Sequence, residues 1–305
     1  MTEYVISRLV QAAIVAVGVT LIVFGFLHLS GDPVLLLVPS DASVETIAQV
    51  RRQLGLDRPL WEQYLRFLAG AVRGDFGDSL RMNRPALGLV FERLPNTLLL
   101  TLVALGISLA VSLPIGIISA VKRATIWDHV AMLFALVGQA IPVFWLGVML
   151  ILVFSVQLAI LPVQGADTIW HLVLPAISLS TVVMGRNARL VRSSMLEVLN
   201  QDYIRTAKAK GLKQRVVLTR HALKNASIPI VTLLGLQFAQ LLGGAVVTET
   251  IFAWPGVGRL VVEAIFNRDF PVVQAVVFVV SMAFVIVNLF VDLSYAWLDP
   301  RIRVR

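Results

Sequence analysis

The sequence predicts an all-α integral membrane protein with six transmembrane helices and an external helical insert between the first two. Three observations predict it. Hydrophobic residues make up 58% of the 305 and charged ones 14%, against roughly 45–50% and about 25% in soluble domains, an excess no single soluble core can bury. Apolar runs of membrane-crossing length recur along the chain. The basic residues gather beside those runs and give a net charge of +8, as cytoplasmic loops do under the positive-inside rule. In a soluble protein that charge would point to nucleic acid; here topology accounts for it, and no nucleic-acid partner is expected. Cysteine is absent, which excludes disulfides and Cys-based metal sites.

Residues 9–29 form the first span, because about 20 apolar residues cross a hydrocarbon core of roughly 30 Å. A cleaved signal peptide would have an apolar core of about 7–15 residues before a small-residue cleavage site. This run is longer and ends in His28-Leu29-Ser30-Gly31-Asp32-Pro33, so it reads as a retained span. Residues 30–93 are a polar insert with 8 arginines against 8 acids and no lysine. A loop this long translocates regardless of its arginines, which allows an external position. Apolar residues at helical spacing mark 43–54 and 59–72. The insert is either a cap without a site of its own or a surface for an external partner.

The second span, 94–120, carries Pro114 and Gly116, a kink that a membrane helix accepts when neighbours or water satisfy the freed carbonyl. Lys122 and Arg123 hold the next loop in the cytoplasm. The third span, 129–156, includes Gly138 and Pro142. His129 at its start has no second metal ligand at helical spacing. The fourth, about 172–191, has Arg186, Arg189 and Arg192 at its inner end, which read as cations snorkelling to headgroups rather than a voltage sensor. The fifth, about 228–247, places Gln237 and Gln240 on one face; they serve either a translocation path or interhelical hydrogen bonds. Gly235, Gly243 and Gly244 suit close packing there. Residues 248–271 return outside, with Trp254-Pro255-Gly256 as an interfacial aromatic and a tight turn. The sixth span, 272–298, sets Asn288 and Asp292 on one face, and Asn288 joins the candidate pathway residues. Arg301, Arg303 and Arg305 make the C-terminus cytoplasmic, and six spans put the N-terminus on the same side.

Between the fourth and fifth spans lies DYIRTAKAKGLKQRVVLTRHALKNASIP, residues 202–229, with 7 basic residues against 1 acid. Asp202 is placed to cap a helix. Lys208 and Lys210 fall in its last turn, and Gly211 permits the left-handed conformation that ends it. A second helix follows, with Leu212, Val216, Val217 and Leu223 toward one side. Topology and anionic lipid alone account for such a charge run in many proteins.

This segment resembles the cytoplasmic coupling loop of ABC-type importer permeases, whose pattern is Glu-Ala-Ala, three residues, Gly, nine residues, Ile-x-Leu-Pro. Ala207, Gly211 and Leu223 match; Arg205, Thr206, His221 and Lys224 depart. YIRTAKAKGL followed by HALKNASIP is similar to the variant in the peptide/nickel branch. Gly31-Asp32-Pro33, QLGLDRPLWEQYL at 53–65, GDFGDSL at 74–80 and TETIFAWPGVGRL at 248–260 resemble the same branch, so the likeness runs along nearly the whole chain.

The resemblance implies a type I ABC importer permease of the bacterial inner membrane, nearest to dipeptide and glutathione permeases. Its parts would be an N-terminal span (1–29), the external insert (30–93) and a permease core (94–305) with its coupling loop at about 193–227. The implied solute is a peptide, with nickel or another small solute as the alternative. The implied partners are a homologous second permease, two ABC ATPase subunits that hold ATP and Mg, and an external substrate-binding protein. Coupling to an ATPase would rest on Asp202, Tyr203, Arg205, Thr206, Ala207, Lys208, Gly211 and Leu212. An external gate or binding-protein contact would involve Glu249, Phe252, Trp254, Pro255 and Gly256. No G-x-x-x-x-G-K-[ST] phosphate loop occurs, so no ATPase, catalytic or metal site is expected in this chain. An ATP-independent carrier or channel would often show two related halves, and a membrane enzyme a reactive constellation at a span end; neither is visible.

Overall fold

The computed structural model describes residues 10–11, 14–22, 24–25, 34, 38, 43–53 and 55–298, with backbone only for Ile228, Thr232 and 290–298. Among these residues the elements are helices, and the one pairing of extended backbone is an isolated bridge between Asp78 and Pro85. The chain divides into two compact units, Met1–Thr97 with Pro255–Leu289, and Leu98–Trp254 with Phe290–Arg305.

The first unit holds a helical stretch at residues 14–22 (α1), α2 (Val44–Gln53) and α3 (Leu60–Val72). The ends of the predicted first span, the Gly31-Asp32-Pro33 motif and the charged C-terminus lie outside the described residues. Both predicted insert helices are present. Ser43 starts α2, its Oγ accepting the Thr46 N–H at 3.2 Å, and Pro59 precedes α3. Aromatic rings then run through the unit. Phe24 meets Tyr64 edge-on at 5.5 Å between centroids, Phe67 meets Phe76 at 6.0 Å, and Phe76 meets Phe278 at 5.2 Å. The core around Phe76 includes Leu89, Val90, Leu260, Phe270 and Val273.

GDFGDSL has a structural reason within this unit. Buried Asp269 accepts hydrogen bonds from the Ser79 hydroxyl and, at 3.1 Å, from the Leu80 N–H. Ser79 Oγ in turn accepts the Met82 N–H at 2.9 Å. The insert is thus tied to the turn between α11 (Val257–Phe266) and α12 (Phe270–Leu298). Asn96 and Thr97 serve the start of α11: the Asn96 amide donates to Pro255 O at 2.9 Å, and Thr97 Oγ1 accepts the Val257 N–H at 2.8 Å.

The second unit takes up α4 (Ala86–Val121) from Leu98 onward, then α5 (Ile126–Ala140), α6 (Val143–Leu150) continued by a π-helical turn (Ile151–Gln157), and α7 (Trp170–Leu199). After α8 (Asp202–Ala209) and the single turn α9 (Gln214–Val216), a second π-helical turn (Val217–Ala222) leads into α10 (Leu223–Ile251). α4 begins eight residues before the predicted second span, because Leu89 and Val90 already bury an apolar face while Glu92 stays exposed.

α4, Pro229–Ile251 of α10 and Phe270–Leu289 of α12 are each long and apolar enough to cross a membrane. The predicted third span is not a straight rod: α5 and α6 meet at 97°. Pro142 has no N–H to continue the helix and pushes Ile141 to an extended conformation (φ −73°, ψ 125°). α7 differs in another way. Three arginines lower its apolar character, and most of its residues from Leu172 to Met195 are buried inside the unit.

Candidate functional site

α8 is a short amphipathic helix laid against the ends of longer ones. Ile204 is fully buried and Ala207 nearly so, in one cluster with Ala120, Val191, Met195, Val217, Ala222 and Ile230. The opposite face presents Asp202, Tyr203, Arg205, Thr206 and Lys208. Asp202 does not cap the helix as the sequence suggested. Gln201 occupies the cap position in extended backbone (φ −75°, ψ 150°), without a side-chain bond, and Asp202 is the first helical residue. There its charge still suits the positive helix end, and it pairs loosely with Arg205 at 3.3 Å, both side chains being largely exposed. Lys210 follows α8 as its cap residue, and Gly211 takes φ +75°. Its N–H reaches Lys208 O at 2.9 Å, and Leu212 N–H reaches Ala207 O at 3.4 Å, the left-handed ending the sequence predicted. Tyr203 Oη accepts the Asn225 amide at 2.7 Å, which ties the free face of α8 to the start of α10.

α7, which leads into α8, carries the polar framework. Arg192 binds Asp128 of α5, Arg189 donates to Gln139 Oε1 of α5 at 2.8 Å, and Arg186 donates to Gln240 Oε1 of α10 at 3.2 Å. Each of the three arginines is held by an acceptor on a neighbouring helix. Buried Asn187 donates to Ser108 Oγ of α4 at 3.1 Å and accepts from Gln237 Nε2 of α10. Gln237 thus makes an interhelical hydrogen bond, while Gln240 on the same helix is exposed. Close approach locks the frame further. A Cβ on Gly116 would stand 2.5 Å from Val191 Cβ, and one on Gly185 would stand 2.3 Å from Ala135 O.

The predicted gate residues are packed rather than displayed. Glu249, Phe252 and Trp254 are buried in the second unit, and Gly256 and half-buried Pro255 belong to the first; Asn288, expected on the pathway, is half-buried in the first unit. Trp254 is not an interfacial aromatic; it is enclosed with Leu100, Leu172, Leu179 and Leu241. Phe252 lies 3.2 Å from where a Cβ of Gly147 would be. Among the described residues no group of three or more His, Cys, Asp or Glu gathers as a metal site.

Sequence reasoning did not find the Asp128–Arg192 pair, Asn187 or Gly185. One signal for the pair was available: Asp128 is the only acid between Glu92 and Asp167. A solitary carboxylate in a chain with a row of arginines in an expected span is a candidate counter-ion.

Two family models cover the chain: the N-terminal component of binding-protein-dependent transport system membrane proteins at residues 1–113, and the binding-protein-dependent transport system inner membrane component at 112–304. The chain is 42% identical to the dipeptide transport system permease protein DppB of Alkalihalophilus pseudofirmus, with 99% of this chain and 100% of that one aligned. It is 43% identical to the glutathione transport system permease protein GsiC of Escherichia coli K12 over the full length of both. Its fold is similar to that of a chain in the inward-facing structure of the MetNI methionine ABC transporter, with a TM-score of 0.59 at 17% identity over 69% of this chain and 96% of that one. The chain belongs to the binding-protein-dependent transport system inner membrane components, the multi-pass permease subunits of ABC importers.

Proposed function

We propose that this chain is the permease subunit of an ATP-driven importer of peptides, carrying dipeptides, oligopeptides or glutathione across the bacterial inner membrane. The full-length likeness to a dipeptide and a glutathione permease supports the solute class. The observation that carries the mechanism is the two-sided character of α8: Ile204 and Ala207 anchor it to the bundle while its polar face is left open. In this reading Asp202, Tyr203, Arg205, Thr206, Lys208, Gly211 and Leu212 seat in a groove of an ATPase subunit. A homologous second permease completes the pathway, two ATPases bind ATP and Mg, and an external binding protein delivers the solute. Both termini are cytoplasmic, the insert at 30–93 is external, and the residues from Glu249 to Gly256 belong to the external gate. ATP binding closes the ATPase pair, α8 moves with it, and the helices it is anchored to tilt from inward-open to outward-open. Each state is favoured by contacts the other lacks.

The test is a mild-detergent pull-down from native membranes, followed by reconstitution in liposomes with the neighbouring binding protein. Recovery of a sister permease and two ATPases, with ATP-dependent uptake of peptide or glutathione, is the expected result. Nickel uptake in place of peptide uptake would reassign the solute. A chain recovered alone and moving solute without ATP would overturn the reading.

A further inference from the structure

We propose that Arg186 and Arg189, with the side-chain amides of Gln240 and Gln139, form a carboxylate-binding patch in the translocation path that takes the terminal carboxylate of the transported peptide. The proposal rests on the peptide-import reading and adds to it the residues and chemistry that meet the solute.

Position comes first. At 1.5 Å per residue the two arginines lie roughly 24 and 28 Å along α7 from Trp170, in the half of the helix that leads into α8. Exposure comes second. α7 is buried over most of its length, yet Arg186, Arg189, Ser193 and Glu197 are exposed. Their spacing of three, four and four residues puts them on one face.

Charge decides what that face meets. Arg192 is neutralised by Asp128. Arg186 and Arg189 each touch only a neutral amide oxygen, and among the described residues neither pairs with a carboxylate. Two uncompensated cations are not stable against lipid tails; such arginines face water or meet an anion.

The geometry suits a carboxylate. Side chains three apart on a helix have Cβ atoms about 5–6 Å apart, so the N–H donors that Gln240 and Gln139 leave free on the two guanidinium groups are within reach of one carboxylate. Gln240 and Gln139 turn their Oε1 atoms to the arginines, which leaves their NH2 groups to donate outward. The patch therefore offers donors only. It stands on a rigid base, since Asn187 beside Arg186 is fixed between Ser108 and Gln237, and Gly185 is seated on Ala135 O.

A carboxylate can come from the solute or from an acidic side chain of the sister permease, and the experiment separates them. The intact complex is reconstituted in liposomes, with binding protein saturated in turn by a dipeptide and by its C-terminal carboxamide. Uptake rates are compared for wild type, Arg186→Gln, Arg189→Gln and the double variant. The expected result is a wild-type preference for the free acid that falls about tenfold in the double variant, the size of a lost charge-assisted hydrogen bond. An unchanged acid-to-amide ratio in the double variant overturns the proposal. Equal loss for both peptides, with the sister permease lost on size exclusion, also overturns it and assigns the carboxylate to the subunit interface. Absence of ATP-dependent uptake of dipeptide, oligopeptide and glutathione alike by the wild-type complex overturns the peptide-import reading, and the patch with it.

Discussion

Arg192 grips Asp128 through both carboxylate oxygens, Nε to Oδ1 and Nη2 to Oδ2, each at 2.8 Å. Ser119 donates a third bond to Oδ1, and the Ala124 N–H a fourth, at 3.0 Å, to Oδ2. The end of α4, the start of α5 and the C-terminal part of α7 therefore meet at one carboxylate. One turn further along α7, Met195 packs in the same cluster as Ile204 of α8. α8 is thus connected by packing to α7 and, through this clamp, to α5.

Breaking the clamp should cost stability in a coupled way. Arg192→Gln leaves a buried carboxylate without its cation, a loss of about 3 kcal/mol, near the lower end for buried pairs because the arginine side chain is 29% exposed. Asp128→Asn removes the charge from the other side. The double variant should lose clearly less than the sum of the singles, since it leaves no unpaired charge. Thermal unfolding of the four proteins in one detergent measures this, and strictly additive losses would show that the pair carries no coupling energy.

The glycines sort by what surrounds them. Gly185→Ala pushes a methyl into the Ala135 carbonyl and Gly116→Ala pushes one into Val191 and the Ala188 carbonyl. Backbone must shift in both, at about 1–3 kcal/mol for overpacking. Gly138 has nothing within 4 Å of its Cβ position, so Gly138→Ala should be neutral or slightly stabilising. Lower melting temperatures for the first two and not the third are expected; a loss at Gly138 equal to that at Gly185 would refute the close-approach account.

Gly211 is a different case, because nothing lies within 4 Å of its Cβ position and only its φ of +75° is special. Valine there costs roughly 1–2 kcal/mol of backbone strain or turns the chain elsewhere; asparagine tolerates the conformation better. Gly211→Val should retain ATPase activity in the assembled complex yet lose most uptake, with Gly211→Asn between it and wild type. Uptake at the wild-type rate by the valine variant, at equal expression, would remove Gly211 from the coupling path.

What the sequence made legible was whatever local pattern determines. Long apolar runs marked α4, α10 and α12, helical spacing marked α2 and α3, and a lone glycine after two lysines marked the end of α8. What it hid was decided by neighbours far away in the chain. The apolar pattern runs unbroken across Pro142, so a kink and a 97° corner look alike in one dimension. Trp254 beside a Pro-Gly turn has the composition of an interfacial anchor, yet the residues that enclose it come from α4, α7 and α10. Asn187 carries no local signal at all; its role exists only because Ser108 and Gln237 arrive on either side.

The two faces of α8 should fail in different ways. Ile204 is fully buried, so Ile204→Ala removes packing worth about 2–4 kcal/mol and frees α8 from the bundle. That variant should melt earlier and fail to couple even if the ATPase still binds. Arg205 and Lys208 are exposed, and surface charges of this kind contribute little to folding. Arg205→Glu with Lys208→Glu should therefore leave the melting temperature within about 1 °C, a shift equal to a few tenths of a kcal/mol in a chain of this size, while weakening recovery of the ATPase in pull-downs. The salt dependence of that recovery should also fall, because the lost contacts are screened charges. If reversing both charges left ATPase recovery untouched, the polar face of α8 would not be the docking surface, and the basic residues of this segment would return to setting topology.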